Sequence, residues 1–148
     1  MLLGDGPERS NLEQEVDSLA ISEHVAFTGY QADVTPYLRS AHMFVLPSVA
    51  EGISNALLEA MSFGLACIAS SVGGTVEVLD HGKYGVLLPP NDVTAWARAL
   101  EEMAVASALR LEMGQLARQR IAEKYDLNVI GMKYEELYKE LLTEGRMN

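Results

Sequence analysis

The sequence predicts an α/β fold in which a parallel sheet is flanked by helices, as one domain over residues 1–148 with a helical C-terminal segment. Short apolar runs alternate with helical patterns, which is typical of a parallel sheet with helical connections. Turns rich in glycine follow the ends of several apolar runs, at points where helices then begin. A chain of 148 residues that is 49% apolar is long enough to bury one core.

In the first half of the chain, apolar runs and turn residues define five elements. They are a strand at Leu2-Leu3, a helix from Pro7 to about Ala20, a strand at His24–Thr28, a short helix at Val34–Ala41 and a strand at His42–Leu46. Pro7 suits the first position of a helix, because proline has no amide hydrogen to donate there. Pro47 ends the last of these strands because it cannot donate to a strand partner.

The second half predicts two more strands and five helices. They are a helix at Ile53–Phe63, a strand at Ala66–Ser70, a helix from Gly73 to Leu79, a strand at Tyr84–Leu88, and helices that end near Val105, Tyr125 and Leu142. Gly64 suits the left-handed residue that ends a helix. Asn91-Asp92 supplies an N-cap for the helix that runs to Val105.

The last predicted helix has an amphipathic pattern. Apolar residues recur with helical spacing at Leu127, Ile130, Tyr134, Leu137 and Leu141. Such a stripe is more often packed against the domain core than used to bind a partner. We therefore expect it to be buried in the core.

Composition excludes several classes of function. The formal net charge is −10, with no basic patch, so binding to nucleic acid or to an anionic membrane surface is disfavoured. No apolar run reaches the length of about 18 residues that a membrane span needs. The lone cysteine, Cys67, forms no intrachain disulfide and lies among apolar residues, which predicts a packed thiol. Its presence is compatible with a reducing compartment, and we expect a cytoplasmic protein.

Two glutamates, Glu51 and Glu59, flank the predicted start of a helix. Eight helical residues rise about 12 Å, and with Glu51 in a loop we expect a separation near 10 Å. The carboxyl pair of a glycosidase lies roughly 5–9.5 Å apart across the scissile bond. The pair is therefore too widely spaced and too poorly aligned for acid and base catalysis on one bond.

A clamp on a ligand fits the spacing better. The residues from Gly52 to Asn55 lead into the helix, where free amides and the helix dipole favour an anion. A phosphate at that point would lie between two carboxylates that accept hydrogen bonds from sugar hydroxyls. A sugar nucleotide has this layout. The alternative is that Glu51 is an ordinary loop carboxylate and Glu59 a solvated residue on a helix face.

Several segments together carry a family resemblance. They are LLGDGPER at residues 2–9, PSVAEGISNALLEAMSFG at 47–64, CIASSVGGTVEVL at 67–79 and HGKYGVLLPPND at 81–92. In this order they resemble the C-terminal, donor-binding domain of retaining GT-B glycosyltransferases of the GT4 type, also called group 1. The resemblance implies a Rossmann-like domain that binds a nucleotide diphosphate sugar, with UDP or GDP as the expected nucleotide. It implies no metal ion and no further cofactor.

The resemblance also assigns roles to residues. Glu51 would bind the hexose hydroxyls and serve as the catalytic residue that stabilises and positions the sugar, and Glu59 would bind the ribose. The other donor-binding residues implied are Gly52, Ile53, Ser54, Asn55 and Ala56. The strand end at Phe27, Thr28 and Gly29 would border the nucleobase. The Gly73-Gly74 pair and Glu77 also match the family pattern, and we interpret them as structural.

Some parts of the family pattern have no match in this sequence. These are the N-terminal acceptor domain, the first strand and helix of the donor domain, and an Arg and a Lys that neutralise the diphosphate. Arg9 and Lys83 are poor substitutes for the two cations. We therefore expect the isolated chain to lack activity. The alternative is a non-catalytic fragment that binds the sugar nucleotide or forms dimers.

The missing strand would be central in the family's sheet, with strand order 3-2-1-4-5-6. Its neighbours would be the strands at Leu2-Leu3 and His42–Leu46. Unpaired buried amides cost about 1–3 kcal/mol each. We therefore expect these two strands to pair directly, or a second copy of the chain to cover the exposed edge.

Other enzyme classes are less well supported. A dinucleotide-dependent oxidoreductase is disfavoured because the Gly4-Asp5-Gly6 turn lacks the third glycine of the G-x-G-x-x-G motif. His24, His42 and His81 are too scattered to predict a metal site. Ser48 and Ser70-Ser71 lack the context of a nucleophile elbow.

Overall fold

A computed structural model describes residues 1–144, with side chains through Thr143. The chain divides into two compact units, Met1–Tyr37 and Leu38–Asn148. Both units consist of parallel strands with helical connections. The predicted α/β class is therefore confirmed, while the expectation of a single domain over residues 1–148 stays a prediction.

The first unit contains a small parallel sheet. Strand β1 (Leu2–Leu3) pairs with β2 (Phe27–Gly29), and helix α1 (Arg9–Ser18) connects them. The predicted strand over His24–Thr28 is wrong at its start, because Ser22–His24 forms a turn of 3-10 helix. The amide of His24 donates to the carbonyl of Ile21 at 2.9 Å, and this local bond takes the place of a strand partner.

The second unit is built on a three-stranded parallel sheet in the order β3-β4-β5. These strands are Met43–Leu46, Ala66–Ser70 and Val86–Leu88. Every residue of β4 is buried, because β4 has neighbours on both sides and its side chains are small or apolar. The helices after the short α2 (Thr35–Ser40) are α3 (Asn55–Ser62), α4 (Gly73–Val78), α5 (Val93–Val105), α6 (Ser107–Lys124) and α7 (Leu127–Glu144). The predicted strand at Tyr84–Leu88 begins two residues later than expected, at Val86.

The core of the second unit joins the sheet to α5. One buried apolar cluster there consists of Ala66, Ile68, Trp96 and Met103. The indole Nε1 of Trp96 donates to the carbonyl of Pro89 at 2.8 Å, so its one polar group is satisfied. Asp92 caps α5 by accepting from the amide of Ala95 at 3.0 Å, which confirms the predicted N-cap.

A close backbone contact joins α3 to α6. Gly64 follows the end of α3 with a positive φ of 73°, which confirms the predicted left-handed cap. A side chain at Gly114, within α6, would overlap the carbonyl oxygen of Gly64. The two segments can therefore pack this closely only because Gly114 has no Cβ.

The predicted direct pairing of the first strand with β3 does not form. Within residues 1–144, β1 pairs only with β2, and β3 pairs only with β4. Leu2 and Leu3 are 43% and 41% exposed, so water is available to the free edge of β1. The penalty expected for buried unpaired amides does not apply there. Coverage of this edge by a second copy stays a prediction.

The expectation that the apolar stripe of α7 packs in the core is wrong. Leu127, Tyr134, Leu137 and Leu141 are 86%, 58%, 47% and 54% exposed, and Ile130 is half-buried. Helical periodicity identifies the apolar face but does not identify what covers it. No helix within residues 1–144 has the length and apolar character needed to cross a membrane.

Gly114→Ala should destabilise the protein. The added methyl group would force apart the backbones of α6 and the end of α3, and overpacking of this kind costs about 1–3 kcal/mol. Gly131→Ala is the matched control, since a Cβ there meets nothing within 4 Å. Inside α7 it should raise the free energy of unfolding by up to about 1 kcal/mol. Urea denaturation measures the free energy of unfolding of both variants. If Gly114→Ala is as stable as the wild-type protein, the close contact is contradicted.

Cys67 should resist thiol reagents in the folded protein. Burial in β4 raises the pKa of its thiol from an ordinary 9.0 to about 12. The unfolded chain therefore ionises first, and the free energy of unfolding should fall as pH rises from 9 towards 12. Ellman's reagent at about pH 8 should react fully in guanidinium and negligibly without it. Fast labelling of the folded chain would show that the thiol is accessible.

Candidate donor-binding site

The loop between β3 and α3 holds the first glutamate. The hydroxyl of Ser48 donates to Oε1 of Glu51 at 2.8 Å, and both residues are half-buried. The bond occupies one carboxylate oxygen. In the hydrogen bonds described for residues 1–144, Glu51 Oε2 has no partner. The carboxylate is thus held at one oxygen and is able to accept at the other.

Gly73 and Gly74 form the surface against which this loop packs. A Cβ at Gly73 would overlap the carbonyl oxygen of Glu51, and Gly73 has a positive φ of 46°. A Cβ at Gly74 would lie 2.6 Å from the carbonyl oxygen of Gly52. Both positions therefore require glycine, and the structural interpretation of the pair gains a specific reason. The start of α4 and the Glu51–Gly52 backbone are in direct contact.

Helix α3 begins at Asn55, two residues later than predicted. Ser54 is its N-cap, with an extended backbone and a hydroxyl that accepts from the amide of Leu57 at 3.4 Å. The amides of the first helical turn have no acceptor within the helix. Asn55 and Ala56 are exposed, and a Cβ at Gly52 would meet nothing within 4 Å. This end of α3 is open to an approaching anion.

Glu59 lies on the exposed side of α3. The opposite side of the helix is buried through Leu57, Ala60 and Met61. The carboxylate of Glu59 is therefore directed to solvent, where it is available to a ligand hydroxyl. This placement agrees with the predicted clamp and equally with a solvated surface glutamate, so the role of Glu59 stays a prediction.

The predicted nucleobase residues belong to the first unit. Phe27, Thr28 and Gly29 form β2, as expected for a strand end. The guanidinium of Arg9 lies over the Phe27 ring at 5.9 Å, and a Cβ at Gly29 would stand 3.3 Å from Arg9 Nη1. Arg9 is also paired with Glu13 at 2.8 Å. The grouping of these residues with Glu51 in one site stays a prediction.

Two of these side-chain contacts are not predicted from the sequence, although each has a local signal. Ser48 donates to Glu51, and the i to i+3 spacing between them is the signal that indicates this hydrogen bond. In the first unit, Arg9 pairs with Glu13. The i to i+4 spacing from Arg9 to Glu13 is the signal for its ion pair on α1.

Other parts of the structure are less suited to a ligand. An open depression of about 610 Å³ lies at the start of α5, lined by Pro89, Pro90, Asn91, Asp92, Val93 and Thr94. It is remote in sequence from Glu51, and Asp92 there is already used as the helix cap. His24, His42 and His81 are all exposed, and residues 1–144 contain no group of three side chains placed to hold a metal ion.

Comparison with known proteins identifies the family. The family described as Glycosyl transferases group 1 matches residues 1–105, which is more than half of the sequence. The chain therefore belongs to the group 1 glycosyl transferases, which confirms the predicted group 1 family. The N-acetyl-alpha-D-glucosaminyl L-malate synthase of Bacillus anthracis is 34% identical over 146 residues. That alignment covers 99% of this chain and 38% of the relative.

Solved structures support the same assignment. Sucrose-phosphate synthase (tll1590) from Thermosynechococcus elongatus superposes with a TM-score of 0.83 at 29% identity, over 97% of this chain and 39% of that one. The C-terminal domain of a group 1 family protein (LpcC) from Francisella tularensis superposes with a TM-score of 0.73 at 27% identity. That match covers 80% of this chain and 63% of the other.

These matches define which part of the family fold is present. The chain spans about 40% of the length of the full-length relatives. It corresponds to the C-terminal domain of a GT-B glycosyltransferase, with parallel strands flanked by helices.

Proposed function

We propose that this chain is the donor-binding part of a retaining glycosyltransferase of the GT4 type, which moves a hexose from a nucleotide diphosphate sugar to an acceptor. The observation that carries the proposal is the arrangement around the start of α3. Glu51 precedes an open helix N-terminus, and Glu59 is exposed one turn inside the helix. The names of two relatives support transfer of a sugar. They are the N-acetyl-alpha-D-glucosaminyl L-malate synthase of Bacillus anthracis and the sucrose-phosphate synthase of Thermosynechococcus elongatus.

The chemistry of the residues supports a binding role for each part. A diphosphate carries negative charge that the amides and dipole at the start of α3 favour. Two carboxylates in direct contact with that charge would oppose it, so they are suited to the neutral, hydroxyl-bearing groups on either side. In the proposal Glu51 accepts from hexose hydroxyls and Glu59 from the ribose, and the role of β2 beside the nucleobase stays a prediction.

The proposed reaction exchanges one bond at the anomeric carbon for another. The bond from that carbon to the phosphate oxygen breaks, and a bond to the acceptor oxygen forms on the same face. The acceptor proton passes to the leaving phosphate. Glu51 would contribute by orienting the hexose and by stabilising positive charge that develops on the sugar ring, which is electrostatic and positional catalysis.

We further propose that the isolated chain binds the donor without turning it over. The polar groups of the segment from Ser48 to Glu59 are carboxylates, hydroxyls and amides. Among residues 1–144, no ion pair joins a lysine or arginine to Glu51 or Glu59. Arg9 is engaged with Glu13 and Phe27, and Arg120 is buried between Tyr84 and Tyr125. Cytoplasmic location and the lack of a metal requirement stay predictions.

Glu59→Ala should abolish nucleotide-specific stabilisation. The measurement is a thermal-shift panel of UDP, GDP, ADP and their hexose conjugates on the wild-type chain, which also identifies the base. Loss of the carboxylate removes an acceptor for the ribose hydroxyls, so the shift should disappear for nucleotide and sugar nucleotide alike. Glu101→Ala is the matched control, since Glu101 is an exposed glutamate on α5.

A Glu59→Ala variant that keeps the full shift would refute the ribose assignment. No shift for the wild-type chain with any nucleotide or sugar nucleotide would contradict donor binding itself. A shift lost equally in Glu101→Ala would attribute the effect to net charge rather than to the site.

The purified 148-residue chain should hydrolyse or transfer no sugar from a bound UDP- or GDP-hexose. The expectation follows because the segment from Ser48 to Glu59 contains no lysine or arginine to stabilise the leaving diphosphate, and single contacts to a developing anion are worth roughly 3–4 kcal/mol. Turnover is measured as release of free nucleotide, which is detected by chromatography. The assay is run with and without a separately prepared N-terminal domain from a homologue. Turnover by the chain alone would contradict the proposed division of roles.

A further inference from the structure

Glu51 lies in a loop outside any helix or strand, and yet its side chain and backbone are both held. The side chain is held by Ser48, whose hydroxyl donates to Oε1 at 2.8 Å. The backbone is held from the other side by Gly73 and Gly74. A loop carboxylate without such contacts would sample several rotamers. The bond from Ser48 favours one orientation of the carboxylate, and the glycine contacts fix the backbone that carries it.

The two contacts act on different parts of the same residue. Ser48 comes directly after Pro47 at the end of β3, so the hydroxyl is carried by the sheet. Gly73 begins α4 and abuts the carbonyl of Glu51, while Gly74 abuts the carbonyl of Gly52. The loop is thus fixed between the ends of two neighbouring strands, since β4 leads into α4.

We infer that Ser48, Gly73 and Gly74 are positioning residues that orient the Glu51 carboxylate with one oxygen held and the other directed to a hydroxyl of the donor sugar. The inference rests on the proposed function. It assigns these residues no contact with the ligand and no part in binding the nucleotide. Substitution of these residues should therefore weaken binding of the hexose and leave binding of the nucleotide unchanged.

Ser48 is the better residue to test, because removal of its hydroxyl adds no atom to the loop. Ser48→Ala breaks the bond to Glu51, and Ser48→Thr keeps a hydroxyl at the same position. Ser18→Ala is the matched control, since Ser18 is an exposed serine whose hydroxyl donates to the carbonyl of Glu15 at 2.8 Å. Gly74→Ala tests the backbone contact, with Gly131→Ala as the control for an added methyl group.

The first readout is the ratio of the dissociation constants for UDP and UDP-glucose, with GDP and GDP-mannose as a second pair. Both constants are measured by calorimetry on the 148-residue chain. Ser48→Ala should weaken binding of the sugar nucleotide by up to about tenfold, because the freed Glu51 side chain must then be ordered when the sugar binds. Binding of the nucleotide alone should change less than about twofold. Ser48→Thr should restore the ratio, and Ser18→Ala should leave it unchanged.

The second readout needs no ligand. The ¹³C resonance of the Glu51 side-chain carboxylate, assigned with a Glu51→Gln variant, should move in Ser48→Ala and in Gly74→Ala. It should stay in place in Ser18→Ala and Gly131→Ala. This readout separates the two claims: if no nucleotide binds the wild-type chain, the proposed function fails, and the carboxylate resonance still decides whether Glu51 is held.

Two results would overturn the inference. One is an unchanged carboxylate resonance in Ser48→Ala and Gly74→Ala. The other is a loss of affinity in Ser48→Ala that is equal for UDP and UDP-glucose, because a general loosening of the fold would weaken the binding of both ligands. Failure of Gly74→Ala to fold leaves Ser48→Ala and Ser48→Thr to decide the outcome.

Discussion

The contact between the Glu51–Gly52 backbone and Gly73–Gly74 is the constraint on which the geometry of the candidate site depends. Neither glycine accommodates a Cβ, so the loop after β3 and the start of α4 approach each other as bare backbone. Strand β3 carries one of these segments and β4 the other, and the two strands are paired along four residues. A rigid parallel pair thus sets the position of a loop that has no regular structure of its own.

The distribution of charge around α3 follows from that constraint. Glu51 is fixed at the entrance of the helix, while Glu59 is carried on its exposed side because Leu57 and Met61 anchor the other side in the core. Between the two carboxylates lie the amides of Asn55 and Ala56, which have no acceptor within the helix. Acids alone would repel a diphosphate, and amides alone would not distinguish a sugar from a simple phosphate. Together they are suited to a ligand with charge at its centre and hydroxyls at both ends.

The sequence predicted the order of elements well, because strand and helix signals here are local. Ala66–Ser70 matched the structure at both ends, since this short apolar run is buried on both faces and flanked by clear turns. Non-local features were predicted poorly. Periodicity identified the apolar face of α7 but not its exposure, and the penalty for an unpaired edge was applied to β1 although that edge is open to water. Within the site, Glu51 is predicted by its motif, whereas the bond from the Ser48 hydroxyl also needs a loop conformation that the i to i+3 spacing does not fix.

The most direct test of a sugar nucleotide held at the start of α3 is a titration of the ¹⁵N-labelled chain with UDP-glucose, followed by amide chemical shifts. The largest changes should fall on the backbone from Gly52 to Ala56 and on Glu59, with smaller changes at Gly73 and Gly74. If shifts concentrate instead on the depression at residues 89–94, or leave the amides from Gly52 to Ala56 unmoved at saturation, the donor does not bind where the two carboxylates are placed.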